Sequence, residues 1–247
     1  GARSLIDGFE IVRELHMSSR SYIYLALDSA TGTPVVLKVP ATDVREDPVA
    51  LEQFLAEEWV ARRVDSPYVL RAPERSHPQN YLYVVTEYIE GRTLTQWMRE
   101  NPRARFAKVR GLVEQIGKGL RALHRQDMLH QDLRPQNVML DSLGTAKLID
   151  FGAVRVAGIS ESVGSGDEPI LGTQQYSAPE YFMGEGGSVR SDVFSLGVIT
   201  YQMLTGRLPY GPEASQVKTR ADLNRLKYNA VYHYNRSCPA WIDGVLR

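Results

Sequence analysis

At 247 residues the chain has room for one large domain or two small lobes, and its 43% hydrophobic content is ordinary for a globular protein. Lysine plus arginine and aspartate plus glutamate number 29 each, so no polyanion such as nucleic acid is implied as a partner. A single cysteine, Cys238, excludes an internal disulfide framework and fits a reducing compartment.

Beside Pro239, Cys238 is expected to be inert. There is no secretory signal and no apolar run of transmembrane length, so a cytoplasmic setting is expected for this stretch. Residues 9–15, 22–28 and 34–39 are short runs rich in β-branched and aromatic side chains. Turn-forming Met17-Ser18-Ser19 and Ala30-Thr31-Gly32-Thr33 separate them, which predicts an antiparallel meander with Lys38 late in its third strand.

Asp47-Pro48 has the form of a helix start, with Asp as N-cap and Pro in the first turn, and residues 51–64 read as helix. Ala50, Phe54, Ala61 and Val64 form one stripe, and Glu57 falls within it, whereas Glu58 is about 100° round. A carboxylate on an apolar stripe needs a partner because burying an unpaired charge is costly, and Lys38 is the fitting candidate. Residues 81–89 predict another strand, and residues 93–98 begin a helix. Residues 106–126 predict a long helix, with Val109, Leu112, Val113, Ile116, Leu120 and Leu123 as its core stripe.

The densest chemistry lies in His130-Gln131-Asp132-Leu133-Arg134-Pro135-Gln136-Asn137, followed by Asp150-Phe151-Gly152. Asp132 is a candidate general base, Asn137 a neutral oxygen ligand, and Asp150 a carboxylate of the kind that holds magnesium alongside phosphate oxygens. Two apolar runs flank the turn Asp141-Ser142-Leu143-Gly144, predicting a β-hairpin that returns the chain to Asn137. Residues 153–177 are polar and small, and such a long loop is functional or disordered. It closes on Gly172-Thr173-Gln174-Gln175-Tyr176-Ser177-Ala178-Pro179-Glu180. A helix then opens at Ser191-Asp192 and runs to Leu204, apolar on nearly all sides and so predicted to be buried.

These motifs, in this order and spacing, resemble the H-R-D-L-x-x-x-N, D-F-G and G-T-x-x-Y-x-A-P-E signatures of eukaryotic-type protein kinases. The resemblance covers nearly the whole chain and implies an α+β, bilobal fold over residues 1–247. An antiparallel N-lobe with one helix would take residues 1–89, and a mostly helical C-lobe residues 90–247. It implies an ATP- and Mg2+-dependent protein kinase acting on Ser/Thr hydroxyls of protein substrates. Asp132 is then the base, and Asn137 and Asp150 are the metal ligands. Lys38 in Val35-Val36-Leu37-Lys38 pairs with Glu57 and orients the α/β-phosphates. Arg134 lies beside the γ-phosphate and favours Ser/Thr over Tyr. Ile23, Val36, Thr86, Glu87 and Ile89 line the nucleotide site.

Two departures from the family stand out. His16, Ser18 and Ser21 occupy the positions of three phosphate-loop glycines, where serine hydroxyls could hydrogen-bond phosphate instead. Gln131 replaces the arginine that pairs with an activation-segment phosphate, implying activity without that phosphorylation. Both also suit a rival reading, a pseudokinase acting as a binding or scaffolding module. Ser162, Ser165 and Thr173 are candidate autophosphorylation sites, Glu180 is expected to pair with a downstream arginine beyond this chain, and Asp192 to brace the catalytic loop. Residues 51–59 and 130–137 are worded like the kinase half of bacterial proteins fused to a metal-dependent phosphatase, often with a membrane helix beyond. An excised domain is therefore expected, with a fused phosphatase as a possible partner and no membrane segment of its own.

Overall fold

The computed structural model describes residues 4–150, 155–156, 174–182 and 186–247. The chain divides into two compact units, one formed by residues up to Glu90 together with Asp150, the other by residues 91–149 and the remainder.

The first unit is a five-stranded antiparallel sheet in sequential order, made of β1 (Leu5–Ile6), β2 (Phe9–Met17), β3 (Ser21–Asp28), β4 (Pro34–Pro40) and β5 (Val84–Glu87). The predicted meander is its centre. Alternation along the strands sends Val35 and Leu37 into a core with Phe9, Ala26, Tyr83 and Val85. It leaves Val36 and Lys38 on the opposite face, in register with Leu25 and Ile23 of β3 and with Thr86 and Val84 of β5. Two helices follow β4, namely α1 (Thr42–Glu46) and α2 (Pro48–Arg63). Asp47 caps α2 as predicted, its carboxylate accepting the Val49 N–H at 3.0 Å. Phe54 of α2 packs with Val44 and Val84, which seats the helix against this second face.

Three local features depart from the sequence reading. The strand expected over residues 81–89 is only Val84–Glu87. Tyr81 is exposed, and the Gln79 side chain donates to the carbonyls of Tyr81 and Tyr83, so a side chain does what a strand ladder would. The β1 hairpin, turning at Asp7-Gly8, and α1 carry too little periodicity to be seen in the sequence.

In the second unit, β6 (Gly91–Thr93) leads into α3 (Leu94–Glu100), whose start is closed by a capping box between Thr93 and Gln96. The long helix is α4 (Phe106–His124), and it buries Val109, Leu112, Ile116, Leu120 and Leu123. After β7 (Met128–Leu129), the expected hairpin forms from β8 (Val138–Asp141) and β9 (Ala146–Leu148), with β6 added on the far side of β8. β10 (Arg155–Val156) pairs with β7. The helices α5 (Pro179–Phe182) and α6 (Val189–Thr205) follow, and α6 ends at Gly206 in the left-handed conformation. α6 packs on α4 and buries Ser191, Asp192, Ser195, Val198, Ile199, Tyr201 and Leu204. It is not buried all round: Val189 and Val193 are exposed near its start. α7 (Arg220–Arg225), α8 (Val231–Tyr234) and α9 (Ile242–Leu246) complete the unit. Cys238 is buried, and burial pushes its thiol pKa up, as suits an inert side chain. Among the described residues, no helix is long and apolar enough to cross a membrane.

Candidate active site

In the first unit, the β4 register turns Lys38 toward α2, where its Nζ meets Glu57 Oε2 at 2.9 Å. Burial works against the charge on Lys38. The carboxylates of Glu57 and Asp150 outweigh it, so the Lys38 pKa lies above its ordinary value. The lysine therefore stays cationic across the physiological range. Glu58, about 100° round from the stripe residue Glu57, is the more buried of the two. It is neutralised by Arg62 at 2.7 Å and Arg75 at 3.4 Å. No sequence pattern marked Arg75 as its partner, because the two are separated by a loop.

The face that carries Lys38 also carries most of the predicted nucleotide-site residues of this unit. Ile23 lies opposite Lys38, and His16 pairs with Ile23 one strand further out. Val36 lies opposite Thr86, which is buried, while Glu87 at the end of β5 and Ile89 just beyond it are half-buried. The Glu87 N–H donates to the Arg71 carbonyl at 2.8 Å. Leu25, opposite Val36, belongs to the same row and was missed. Period-two alternation from Ile23 would have found it.

The β2–β3 turn has its own hydrogen bonding. Ser18 Oγ accepts the N–H groups of Arg20 and Ser21, both at 3.2 Å, and donates to the Ser21 carbonyl at 3.3 Å. The Ser18 hydroxyl is thus engaged within the turn, and Ser21 is buried.

In the second unit, the catalytic loop is held from below. Asp192 is buried, and its Oδ2 accepts the His130 N–H at 2.9 Å while its Oδ1 accepts the Gln131 N–H at 2.9 Å. His124 Nε2 lies 2.7 Å from the same carboxylate. Burial alone would raise the Asp192 pKa. His124 and the two N–H groups more than offset it, so the carboxyl titrates below its ordinary range. The brace fixes Gln131 at φ 68°, a left-handed conformation uncommon for a residue with a side chain.

Above that brace, Asn137 Nδ2 donates to the Asp132 carbonyl at 2.8 Å and lies 3.2 Å from Asp132 Oδ2. Arg134 Nε stands 3.8 Å from the same Oδ2. The Asp132 N–H donates to Nδ1 of the fully buried His130, which makes that nitrogen the acceptor. Asp132, Arg134 and Asn137 are therefore one cluster. With its amide nitrogen committed to Asp132, Asn137 keeps Oδ1 as a hard oxygen donor. The hairpin register brings Asn137 beside Ile149, whose N–H donates to the Asn137 carbonyl at 2.9 Å, and Asp150 follows at φ 62°.

Gln131 points its amide into protein. Its Nε2 is buried without a hydrogen-bond partner among the described residues. A Cβ added at Gly187 would press on that nitrogen, 2.9 Å away, and on the Tyr181 hydroxyl, so one or both side-chain ends would have to shift. Glu180 accepts the Ser191 hydroxyl at 2.5 Å, a partner the sequence reading did not consider. Ser195 donates to the Tyr176 carbonyl at 2.7 Å, and the Tyr176 hydroxyl to Gln202 at 2.6 Å, which ties this stretch to α6. Ser162, Ser165 and Thr173 lie outside the described residues.

The sequence is similar to those of known proteins. The chain is 25% identical over 238 residues to the serine/threonine-protein kinase PrkC of Bacillus subtilis, covering 96% of this chain and 36% of that protein. It is 26% identical over 238 residues to the probable serine/threonine-protein kinase PknB of Lactococcus lactis, with 96% and 36% covered. It is also 32% identical over 214 residues to the serine/threonine-protein kinase pkn2 of Myxococcus xanthus, with 84% and 26% covered. The chain spans about a third of the length of these curated relatives. The protein kinase domain family matches residues 9–244, and the chain belongs to that family.

Proposed function

We propose that this domain transfers the γ-phosphoryl group of ATP to serine or threonine hydroxyls of proteins. The observation that carries the reading is the 2.9 Å Lys38–Glu57 pair, with Asp150 adding to the field on the lysine. Phosphoryl transfer asks a protein mainly for positioning and charge stabilisation. Lys38 holds the α/β-phosphates on the sheet face formed by Ile23, Leu25, Val36 and Thr86. Asp132 accepts the hydroxyl proton as the substrate oxygen bonds to the γ-phosphorus and the bond to the β,γ-bridging oxygen breaks. Arg134, beside Asp132, offsets charge on the transferred group. Asn137 Oδ1 and Asp150 would hold magnesium, which supplies charge neutralisation of the β- and γ-phosphate oxygens.

Finer proposals rest on the same residues. Gln131 is an uncharged amide turned toward Gly187 and Tyr181, which supports activity that does not wait for phosphate on the activation segment. The wording of residues 51–59 and 130–137 supports a fused phosphatase as partner.

The test is incorporation of phosphate from MgATP into a generic protein substrate by the parent, Lys38→Ala and Asp132→Ala. Transfer by the parent and its loss in both variants is expected. Nucleotide binding without transfer by the parent would instead establish a pseudokinase, a reading that the internally bonded β2–β3 turn favours.

A further inference from the structure

We propose that the side chain of Arg20, at the tip of the β2–β3 turn, binds the nucleotide's phosphates, in place of backbone N–H groups that this turn keeps for itself. The inference rests on the nucleotide-binding reading of this sheet face and adds a residue that the family motifs do not mark.

A turn that cradles phosphate presents successive backbone N–H groups outward as a concave donor set. Here the N–H groups of Arg20 and Ser21 both point inward at Ser18 Oγ, and the Ser18 N–H donates to the Ser21 carbonyl at 2.9 Å. A serine hydroxyl accepting from the residues two and three further on is a self-contained turn, satisfied without a ligand. An anion reaching this turn would have to break those bonds. The turn therefore has to attract phosphate by other means, and Arg20 is its only cation.

The position of Arg20 suits that task. Its carbonyl accepts the Ala41 N–H at 2.8 Å, extending the β3–β4 pairing past Ser21–Pro40 and fixing the tip over the end of β4. Arg20 stands three residues from Ile23, the partner of Lys38, or about 10 Å along the strand. Two long cationic side chains span that interval. The charge of Arg20 is felt at Lys38, where it opposes protonation while Glu57 and Asp150 favour it. Arg20 is exposed, and among the described residues no carboxylate pairs with it. The two cations repel each other across that interval, and a polyphosphate placed between them relieves that repulsion. Arginine is the side chain best shaped for phosphate oxygens, because its planar fork donates to two at once.

The experiment is calorimetric titration of the parent, Arg20→Ala and Arg20→Lys with MgATP and separately with adenosine. Arg20→Ala is expected to weaken MgATP by about tenfold and leave adenosine within about twofold, with Arg20→Lys between parent and Ala for MgATP. The Arg20→Ala variant should also show a shallower loss of MgATP affinity with added salt. Replacing Ser18 with Gly should release the turn's N–H groups, so Arg20→Ala should cost less in a Ser18→Gly background. Unchanged MgATP affinity in Arg20→Ala, or equal weakening of MgATP and adenosine, overturns the proposal while nucleotide binding by the parent stands. A parent that binds neither ligand overturns the nucleotide reading itself, and this proposal with it.

Discussion

Lys38 Nζ donates to Glu57 Oε2 at 2.9 Å, whereas the next residue, Glu58, turns away to Arg62 and Arg75. Two adjacent glutamates on α2 thus have separate partners, and their substitutions should separate cleanly. Glu57→Gln is expected to lower kcat/KM for MgATP-dependent phosphorylation by roughly 10²-fold with little change in stability, since it unseats a phosphate-binding lysine. Glu58→Ala should leave turnover near parental and lower the unfolding free energy by about 3 kcal/mol, because two arginines lose a buried partner. Steady-state kinetics and urea unfolding on both variants check the pair of outcomes.

Asp192 is the acceptor for two catalytic-loop N–H groups and for His124. Asn at this position keeps one acceptor oxygen and faces the others with an NH2 group. Asp192→Asn is expected to cost on the order of 3 kcal/mol in urea unfolding and to lower turnover by releasing Gln131 from its left-handed conformation.

The same carboxylate sets an acid limb. Its folded pKa lies below the ordinary value of 3.8, so the unfolded chain binds its proton first as pH falls. Its stabilisation is complete above about pH 5 and is lost as pH drops through 3.8 toward the lower folded pKa. Unfolding free energy measured between about pH 6 and about pH 3 should therefore fall more steeply for the parent than for Asp192→Asn.

A side chain at Gly187 would displace the Tyr181 hydroxyl or the Gln131 amide. Gly187→Ala is expected to destabilise by about 1–3 kcal/mol. Tyr181→Phe, which removes the nearest atom, should recover part of that loss in the double variant. Thermal melts of the four proteins of the cycle decide it. Equal melting temperatures for the parent and Gly187→Ala would mean the contact yields freely.

Replacing Ser162, Ser165 and Thr173 together with Ala should leave transfer to an external substrate within about threefold of the parent, because Gln131 has no charge to pair with a phosphate. Loss of turnover in the triple variant would show that the activation segment needs its phosphate after all.

The sequence by itself determined the features that repeat locally or stand at fixed spacing. The meander, the capped start of α2, the stripe of α4 and the β8–β9 hairpin are all written in period and turn chemistry. So are Asp132, Asn137 and Asp150, whose spacing is chemical rather than structural. Even the Lys38–Glu57 pair was legible, since a carboxylate on an apolar stripe requires a cation and the kinase resemblance pointed to Lys38.

Tertiary structure decided what depends on groups far apart in the chain. Glu58 meets Arg75 across a loop, Ser191 takes the Glu180 carboxylate, and Gly187 closes over Gln131. No periodicity encodes such pairings, because they follow from where whole elements pack. The β2–β3 turn lies between these cases. The missing glycines were plain in the sequence, but only the folded turn determined that Ser18 would spend its hydroxyl on the backbone and leave Arg20 facing outward. A side-chain oxygen goes to the nearest donors the turn presents, and the turn's shape is set by the register of two strands.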